Sequence, residues 1–247
     1  PTNIYDKAVM FFDFGTVGTG KTYYWDDVRM AAPPVLAKPN LPITFQDTVT
    51  INYDIAPFGG NSSHLVVDPT DPTNTVLQSI KTSGAQTWAG TTMGASGLAA
   101  AIPFSATATK MSVRVWSPDA NTPILLKVED AANPGINSEV QVNTTVAAQW
   151  ETLEFDFSTA VTPLNFANTY DKVSIFFDFN TGGTGKTYYN DDVMMVAPPV
   201  LAKPDLPITF QDTVTIDHAI VDFGDNSSVL VVDPTDPTNT VVKSEKT

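Results

Sequence analysis

Side chains able to carry out nucleophilic chemistry are scarce in this chain. It contains no cysteine and two histidines, His64 and His218. A nucleophile needs a neighbouring base to be activated, and no such pair can be assembled from this set. The acidic residues are numerous, but most lie in turn sequences or at polar strand positions, where they confer solubility. We therefore predict that the chain is not an enzyme.

Two carboxylates break the alternation of apolar and polar residues. Asp47 shares the parity of the apolar residues in the run 43–51, and Asp191, next to Asp192, shares the parity of Val193. Carboxylates in an inward register cost several kcal/mol unless a cation lies between them. Calcium suits such a site because it takes carboxylate and carbonyl oxygens. The alternative is that both residues cap turns at the rim of the fold.

The first 82 residues return without a gap 165 positions later. About 60 of the 82 paired positions are identical, so that Asn61-Ser62-Ser63 recurs as Asn226-Ser227-Ser228. A period of this length is too long for a solenoid and indicates one domain per repeat. The acids recur as well, which makes the metal-ligand candidates Asp47, Asp191 and Asp192 with their counterparts Asp26, Asp27 and Asp212.

Proline-rich segments divide the repeats. Dense proline removes amide donors and stiffens a chain into an extended spacer. The predicted parts are the closing strands of a preceding repeat (1–32), a linker (33–42), a complete repeat (43–196), a second linker (197–207) and the opening strands of a following repeat (208–247). A partial β-domain has unpaired edges. We therefore expect neighbouring repeats, or other copies of the chain, to complete both ends.

Charge and hydropathy exclude several classes of partner. The formal net charge is −14, which opposes binding to nucleic acid and to anionic membranes. No apolar run approaches the roughly 20 residues needed to span a bilayer. We predict neither a nucleic-acid partner nor insertion into a membrane.

One motif resembles a phosphate-binding loop by its letters alone. Residues 15–22 satisfy the glycine-lysine-threonine pattern, which functions by opening a helix. The residues that follow are aromatic and β-branched, and the repeat has Asn180 where the pattern requires glycine. We interpret the segment as a hairpin loop between two strands.

Period-two alternation predicts β-structure almost throughout. It is clear in residues 111–116, 126–129, 140–143, 153–157 and 173–179, with turn clusters between them. No stretch has convincing helical periodicity. The predicted fold is all-β: a two-sheet antiparallel β-sandwich of the jelly-roll kind, in a tandem array.

A family resemblance rests on four motifs. They are Ile43-Thr44-Phe45-Gln46-Asp47, Thr87-Trp88-Ala89-Gly90, the segment 150–157, and Tyr188-Tyr189-Asn190-Asp191-Asp192-Val193. Together they resemble the calcium-binding jelly-roll carbohydrate-binding modules, in particular those repeated in secreted proteins of marine Bacteroidetes. The resemblance implies a structural calcium (Ca²⁺) that joins the first strand to the last through Asp47 and Asp191 or Asp192.

The strand face opposite the core supplies the candidate glycan contacts. A saccharide surface needs an aromatic platform surrounded by hydrogen-bonding groups. The candidates are Arg114, Trp116, Lys127, Glu129, Gln141 and Phe176. The alternative is a solvated face carrying cross-strand ion pairs. We expect Trp88 and Trp150 to lie in the core.

Two functions from different classes remain. The first is a non-catalytic tandem-repeat segment of a large extracellular or cell-surface protein, whose modules act in adhesion to polysaccharide. The second is a purely structural stalk or filament, stiffened by calcium, with no glycan ligand. The near-identity of neighbouring copies suits reach and avidity, and therefore an adhesin or a stalk.

Overall fold

The computed structural model describes residues 7–30, 35–198 and 202–246. Contacts divide the chain into two units, Pro1–Val35 and Leu36–Thr247. In the first unit, the described residues 7–30 contain turns and no strand. A strand requires backbone partners beside it. The assignment of 1–32 to a preceding repeat stays a prediction, and residues 1–6 and 31–32 lie outside the described part.

The regular secondary-structure elements of the second unit are almost all strands. They are β1 (Ala56–Phe58), β2 (Asn61–Asp68), β3 (Asp71–Lys81), β4 (Gly90–Met93), β5 (Lys110–Ser117), β6 (Pro123–Glu129), β7 (Asn137–Asn143), β8 (Gln149–Asp156), β9 (Lys172–Phe177), β10 (Lys186–Met195), β11 (Asn226–Asp233) and β12 (Asp236–Lys246). A single 3₁₀ turn, Phe157–Thr159, is the one helical element in the described residues.

Ten of the strands form two antiparallel sheets. The first sheet has the order β1-β4-β9-β6-β7, and the second has the order β2-β3-β10-β5-β8. The predicted all-β, two-sheet antiparallel sandwich is thereby confirmed. Strands β11 and β12 form a separate hairpin, in which Val229 pairs with Lys243 as His64 pairs with Gln78 in the complete repeat.

Alternation along the strands separates the core from the outer faces. In β5, Val113 and Val115 are fully buried between the sheets, whereas Arg114 and Trp116 on the opposite side are partly exposed. Ile175 of β9 faces the same core from the first sheet. Each such aliphatic side chain contributes about 1.5–3 kcal/mol by its burial. The core therefore fixes which residues the second sheet presents outward.

The opening segment is not the regular strand that its alternation predicts. Ile43 makes an isolated bridge to Val193, and Ile51 makes one to Ala37, with a turn between them. Phe45 has a φ of 57°, which breaks the period-two pattern. The prediction that Asp47 points inward is therefore wrong, because parity holds only along a continuous strand.

A bulge in β10 likewise reverses the parity of Asp191. The pairing with β5 is interrupted between Asp191 and Met194, and Asp192 has a φ of 48°. Val193 is in the core, whereas Asp191 pairs with Arg114 on the outer side. The predicted inward register of Asp191 is wrong because one extra residue in a strand turns its side chains over.

The first linker is bound to the repeat that follows it. The amide of Ala37 donates to the carbonyl of Thr50 (2.8 Å), and the amide of Asn52 donates back to Ala37 (2.9 Å). The Lys38 ammonium donates to the carbonyl of Ser96 (2.7 Å), and the carbonyl of the buried Pro39 accepts from Ala99 (2.8 Å). This part of the predicted linker is thus hydrogen-bonded to the repeat through Ala37, Lys38 and Pro39. Residues 33–34 lie outside the described part.

The second linker begins its repeat in the same way. The amide of Ala202 donates to Thr215 (2.8 Å), and the amide of Asp217 donates to Ala202 (2.9 Å). Residues 199–201 of this linker lie outside the described part of the chain.

Replacing Ala37 by proline tests whether the linker stabilises the sandwich. Ala37→Pro removes an amide that is hydrogen-bonded, at a cost of about 0.5–1.5 kcal/mol. The thermal midpoint of the whole chain should fall by about 2–6 °C. Ala202→Pro, the same change in the following repeat, should leave the midpoint of the sandwich unchanged. Equal midpoints for wild type and Ala37→Pro would contradict a docked linker.

Candidate functional site

One row of side chains crosses all five strands of the second sheet on its outer face. The pairing places His64 opposite Gln78, Gln78 opposite Tyr189, Tyr189 opposite Trp116, and Trp116 opposite Trp150. Neighbouring strands lie about 4.8 Å apart, so the row is about 19 Å long. We call these five residues the aromatic row.

Three rings at one end of the row form a shallow receptor. The rings of Trp116 and Tyr189 lie 5.5 Å apart at 75°, and those of Trp150 and Tyr189 lie 6.2 Å apart at 50°. A pocket of about 360 Å³ opens among them and is completed by Pro69, Thr70 and Ala148. All three rings are partly exposed. The surface combines flat apolar faces with polar ring edges, as amphipathic ligands require.

Hydrogen bonds hold two of the rings in place. The Trp150 Nε1 donates to the Thr70 Oγ1 (3.1 Å) and to the Asp68 Oδ1 (3.3 Å). The Gln78 Nε2 donates to the Tyr189 hydroxyl (3.2 Å). The receptor is thus largely preorganised, which reduces the entropy lost when a ligand binds.

Arg114 lies beneath the row and is neutralised by two carboxylates. Its guanidinium carbon is 3.9 Å from the centroid of the Trp150 ring, a cation–π contact. Its nitrogens lie 3.4 Å from Asp68 Oδ2 and 3.5 Å from Asp191 Oδ2. Both carboxylates are 2% exposed. The charge of Arg114 is therefore occupied by these carboxylates and supports Trp150 from below.

The pKa values of these two carboxyl groups shift in opposite directions. Burial raises the pKa of Asp191 above its ordinary value, although Asn74 donates to it (3.0 Å). Burial acts on Asp68 in the same direction, but hydrogen bonds from Thr70, Asn74 and Trp150 outweigh it and lower the pKa of Asp68. The pair shares one guanidinium, so together the three groups carry a net negative charge when both acids are ionised.

The predicted glycan contacts are divided between the two sheets. Trp116 and Arg114 are on the second sheet, with Trp116 in the aromatic row. The other four candidates, Lys127, Glu129, Gln141 and Phe176, are on the outer face of the first sheet. The expectation of one shared face is wrong because the chain crosses from one sheet to the other between β5 and β6. Alternation along a strand shows which residues share a face, but it does not show which sheet the strand belongs to.

Three of the four residues on the first sheet have structural partners. Glu129 binds Lys127 (3.0 Å) and Lys172 (3.2 Å), as the alternative of cross-strand ion pairs anticipated. Phe176 is buried against Phe58, with ring centroids 5.3 Å apart. Gln141 is exposed on β7.

Sequence reasoning missed most of the aromatic row. Trp150 was expected in the core, yet Leu153 and Phe155 are the buried residues of β8 and have the opposite parity. The parity of Leu153 and Phe155 could therefore have indicated from the sequence that Trp150 lies outside the core. Trp88, also expected in the core, is 52% exposed in the loop before β4. His64, Gln78 and Tyr189 become recognisable only once the strand order is known.

The acids predicted as metal ligands have other partners or positions in the structure. Asp47 accepts bonds from Val49 (3.1 Å) and Thr50 (2.8 Å) and therefore caps a turn, and Asp212 does the same in the following repeat. Asp26 and Asp27 are exposed, and Asp192 lies at the bulge. Within the described residues, no group of three or more His, Cys, Asp or Glu side chains is placed to hold a metal.

Oxygens of other residues do converge, beside Gln46. The Gln46 amide nitrogen is 2.9 Å from the Thr44 carbonyl and 3.2 Å from the Thr75 carbonyl, and it also contacts the Asn74 Oδ1 very closely. Gln211 repeats all three contacts at 2.8, 3.2 and 2.5 Å. An amide has two hydrogens for these three oxygens. Together with Asp191, which is bonded to Asn74, the oxygens suit a hard cation such as calcium.

Comparisons with known proteins give structural similarity alone. No family model matches the chain, and no curated protein does. The family 11 carbohydrate-binding module from Clostridium thermocellum, in complex with a β-1,3-1,4-mixed-linked tetrasaccharide, is 14% identical over 63% of this chain and 93% of its own, with a TM-score of 0.45. A xylan-binding domain from Paenibacillus barcinonensis is 12% identical over 65% and 96%, with a TM-score of 0.41. With TM-scores below 0.5, the function has to be inferred from this chain's own residues.

The described residues include no helix long and apolar enough to cross a bilayer.

The opposite pKa shifts of Asp68 and Asp191 predict opposite pH dependences. A lowered pKa contributes stability that is present above about pH 3.9 and is lost as the pH falls through the folded-state value. A raised pKa contributes stability that is present at low pH and is lost as the pH rises through the folded-state value. The loss of unfolding free energy in Asp68→Asn should therefore grow from pH 3 to pH 7. The loss of unfolding free energy in Asp191→Asn should shrink over the same pH range.

Urea denaturation of the whole chain in a pH series measures both differences. Each pKa unit between the folded and unfolded states corresponds to about 1.4 kcal/mol. If the loss of unfolding free energy changed with pH in the same direction for both variants, the opposite pKa shifts of Asp68 and Asp191 would be contradicted.

Proposed function

We propose that the complete repeat is a non-catalytic carbohydrate-binding domain that holds polysaccharide on the outer face of its second sheet. The observation that supports this most directly is the aromatic row, in which Tyr189, Trp116 and Trp150 surround a pocket. Sugar rings present apolar C–H faces that stack on such rings, and hydroxyl rims that bond to amide and imidazole groups.

The dimensions and rigidity of the row suit a chain ligand. A length of about 19 Å exceeds a single sugar ring and fits several consecutive units. Gln78 and His64 extend the row beyond the three rings with side chains that donate and accept hydrogen bonds. We propose that the parent protein is extracellular or displayed at the cell surface, and that its repeats act together in adhesion to polysaccharide.

A structural stalk is the second candidate, and the docked linkers favour it. Ala37 and Ala202 join their repeats through the same pair of backbone bonds. Such bonds shorten the free spacer between repeats and stiffen an array. Stiffening alone does not exclude binding, because a rigid array can hold binding sites far from a surface.

Substitution of the row should abolish glycan retention. Trp150→Ala and Trp116→Ala each remove a ring of the pocket, and buried aromatic anchors typically contribute about 2 kcal/mol or more to binding. We expect affinity for a retained soluble polysaccharide to fall tenfold or more in affinity electrophoresis. Trp88→Ala removes an exposed tryptophan outside the row and is the matched control.

Unchanged melting curves would show that the two tryptophan variants remain folded. Retention that weakens equally in Trp88→Ala would contradict the site. If no polysaccharide from plant cell walls or marine algae retains the wild-type chain, only the stalk remains.

We also propose that the repeat holds a structural calcium, with ligands that differ from the predicted set. The oxygens available are those of Thr44, Thr75, Asn74 and Asp191, with the side chain of Gln46 able to turn its own oxygen toward them. Calcium there would join the opening segment to β3 and β10. The reappearance of the same contacts at Gln211 supports a role common to the repeats.

Calcium should stabilise the chain through Gln46 and not through Asp47. At a hundredfold excess over its dissociation constant it should add about 2.7 kcal/mol, and a chelator should lower the midpoint by several degrees. Gln46→Ala should lose this response. Asp47→Ala should be destabilised by the loss of its turn cap and keep the response. If Asp47→Ala alone lost its stabilisation by calcium, the ligand set predicted from the sequence, which includes Asp47, would be correct. Magnesium should substitute poorly for calcium.

A further inference from the structure

The hairpins 61–81 and 226–246 have the same pairing and nearly the same sequence. They differ at four of 21 positions. The differences are His64 to Val229, Leu77 to Val242, Gln78 to Lys243, and Ile80 to Glu245. Pairing is equivalent in the two hairpins, since Ser62 faces Ile80 as Ser227 faces Glu245.

Three of the four differences fall on the proposed ligand face. His64 and Gln78 belong to the aromatic row, and Ile80 is the next outward residue of β3, opposite Thr187. The fourth, Leu77, is in the core and is exchanged for another aliphatic residue. Within this hairpin, the differences are therefore concentrated where a glycan would lie. The preceding segment also differs between the copies, at positions 52, 53, 54, 56, 57 and 60.

Exposure alone does not account for this concentration. The same hairpin contains other exposed residues that are identical in both copies. Those outside the proposed pocket are Val67, Asp71, Pro72 and Thr73. If solvent exposure alone allowed change, these positions would be expected to vary as well.

The exchanged residues differ in charge. The aromatic row of the complete repeat has no formal charge at pH 7, whereas the second hairpin carries Lys243 in contact with Glu245. The nearby Arg114 is already shared by Asp68 and Asp191. A carboxylated or sulfated sugar in the complete repeat would thus meet two carboxylates and no free cation, which disfavours it.

We infer that the complete repeat selects uncharged polysaccharide, and that positions 64, 78 and 80 set this selectivity so that neighbouring repeats take different glycans. The inference rests on the proposed carbohydrate-binding function. Because Gln78→Lys is the exchange found in the second hairpin, the hairpin pairing accommodates it.

Two variants of the whole chain test the inference. One is Gln78→Lys, and the other combines it with His64→Val and Ile80→Glu. Affinity electrophoresis is run against uncharged polymers (β-glucan, xylan, galactomannan) and anionic ones (alginate, polygalacturonate, carrageenan). Gln86→Lys adds the same charge in an exposed loop outside the row and serves as the control.

Wild type and Gln86→Lys should be retained by at least one uncharged polymer and by no anionic one. Gln78→Lys should gain retention by an anionic polymer that weakens with added salt. The triple variant should bind the uncharged polymer about tenfold more weakly.

Two results would overturn the inference while leaving the proposed function standing. They are wild-type retention by anionic polymers as strong as by uncharged ones, and uncharged-polymer retention by both variants equal to wild type. Failure of every polymer to retain the wild-type chain would overturn both proposals.

Discussion

The contact among Arg114, Trp150 and two buried carboxylates is the interaction on which the outer face of the second sheet depends. Burying Asp68 and Asp191 without a partner would cost several kcal/mol each. Arg114 supplies the partner, and its delocalised charge also stacks on the indole ring. The same contacts that offset the burial of charge therefore fix the orientation of Trp150. A binding surface that is ordered before the ligand arrives loses less entropy on binding.

The bulge in β10 makes this contact possible. Without the extra residue at Asp192, a strand that buries Val193 would also direct Asp191 into the apolar core. With it, Asp191 lies outward beside Arg114 and Asn74, while Val193 bridges Ile43. One irregularity thus serves both the closure of the sandwich and the support of the aromatic row. It also explains how two consecutive acids are accommodated near the end of a buried strand.

The sequence predicted the architecture better than the site. Alternation in β5, β6, β8 and β9 was long enough to reveal strands and buried faces, and the two-sheet sandwich followed from it. Parity failed where the backbone departs from regular geometry, at Phe45 and at Asp192. It also could not say which sheet a strand joins, so Lys127 was grouped with Trp116. Trp150 was the recoverable error, because the parity of Leu153 already placed it outside.

Separation of scaffold and ligand face would allow near-identical repeats to differ in binding. The turn caps and the linker bonds recur in both copies, as at Asp47 and Asp212 and at Ala37 and Ala202. Gln78 is partly exposed, and its side chain donates to the Tyr189 hydroxyl on the same outer face, so exchanging it leaves the core untouched. In a stiffened array, each repeat adds a site at a set distance, and overall avidity depends on how many sites match the polymer. Variation in the row would therefore change what the array recognises while the turn caps and the linker bonds are kept.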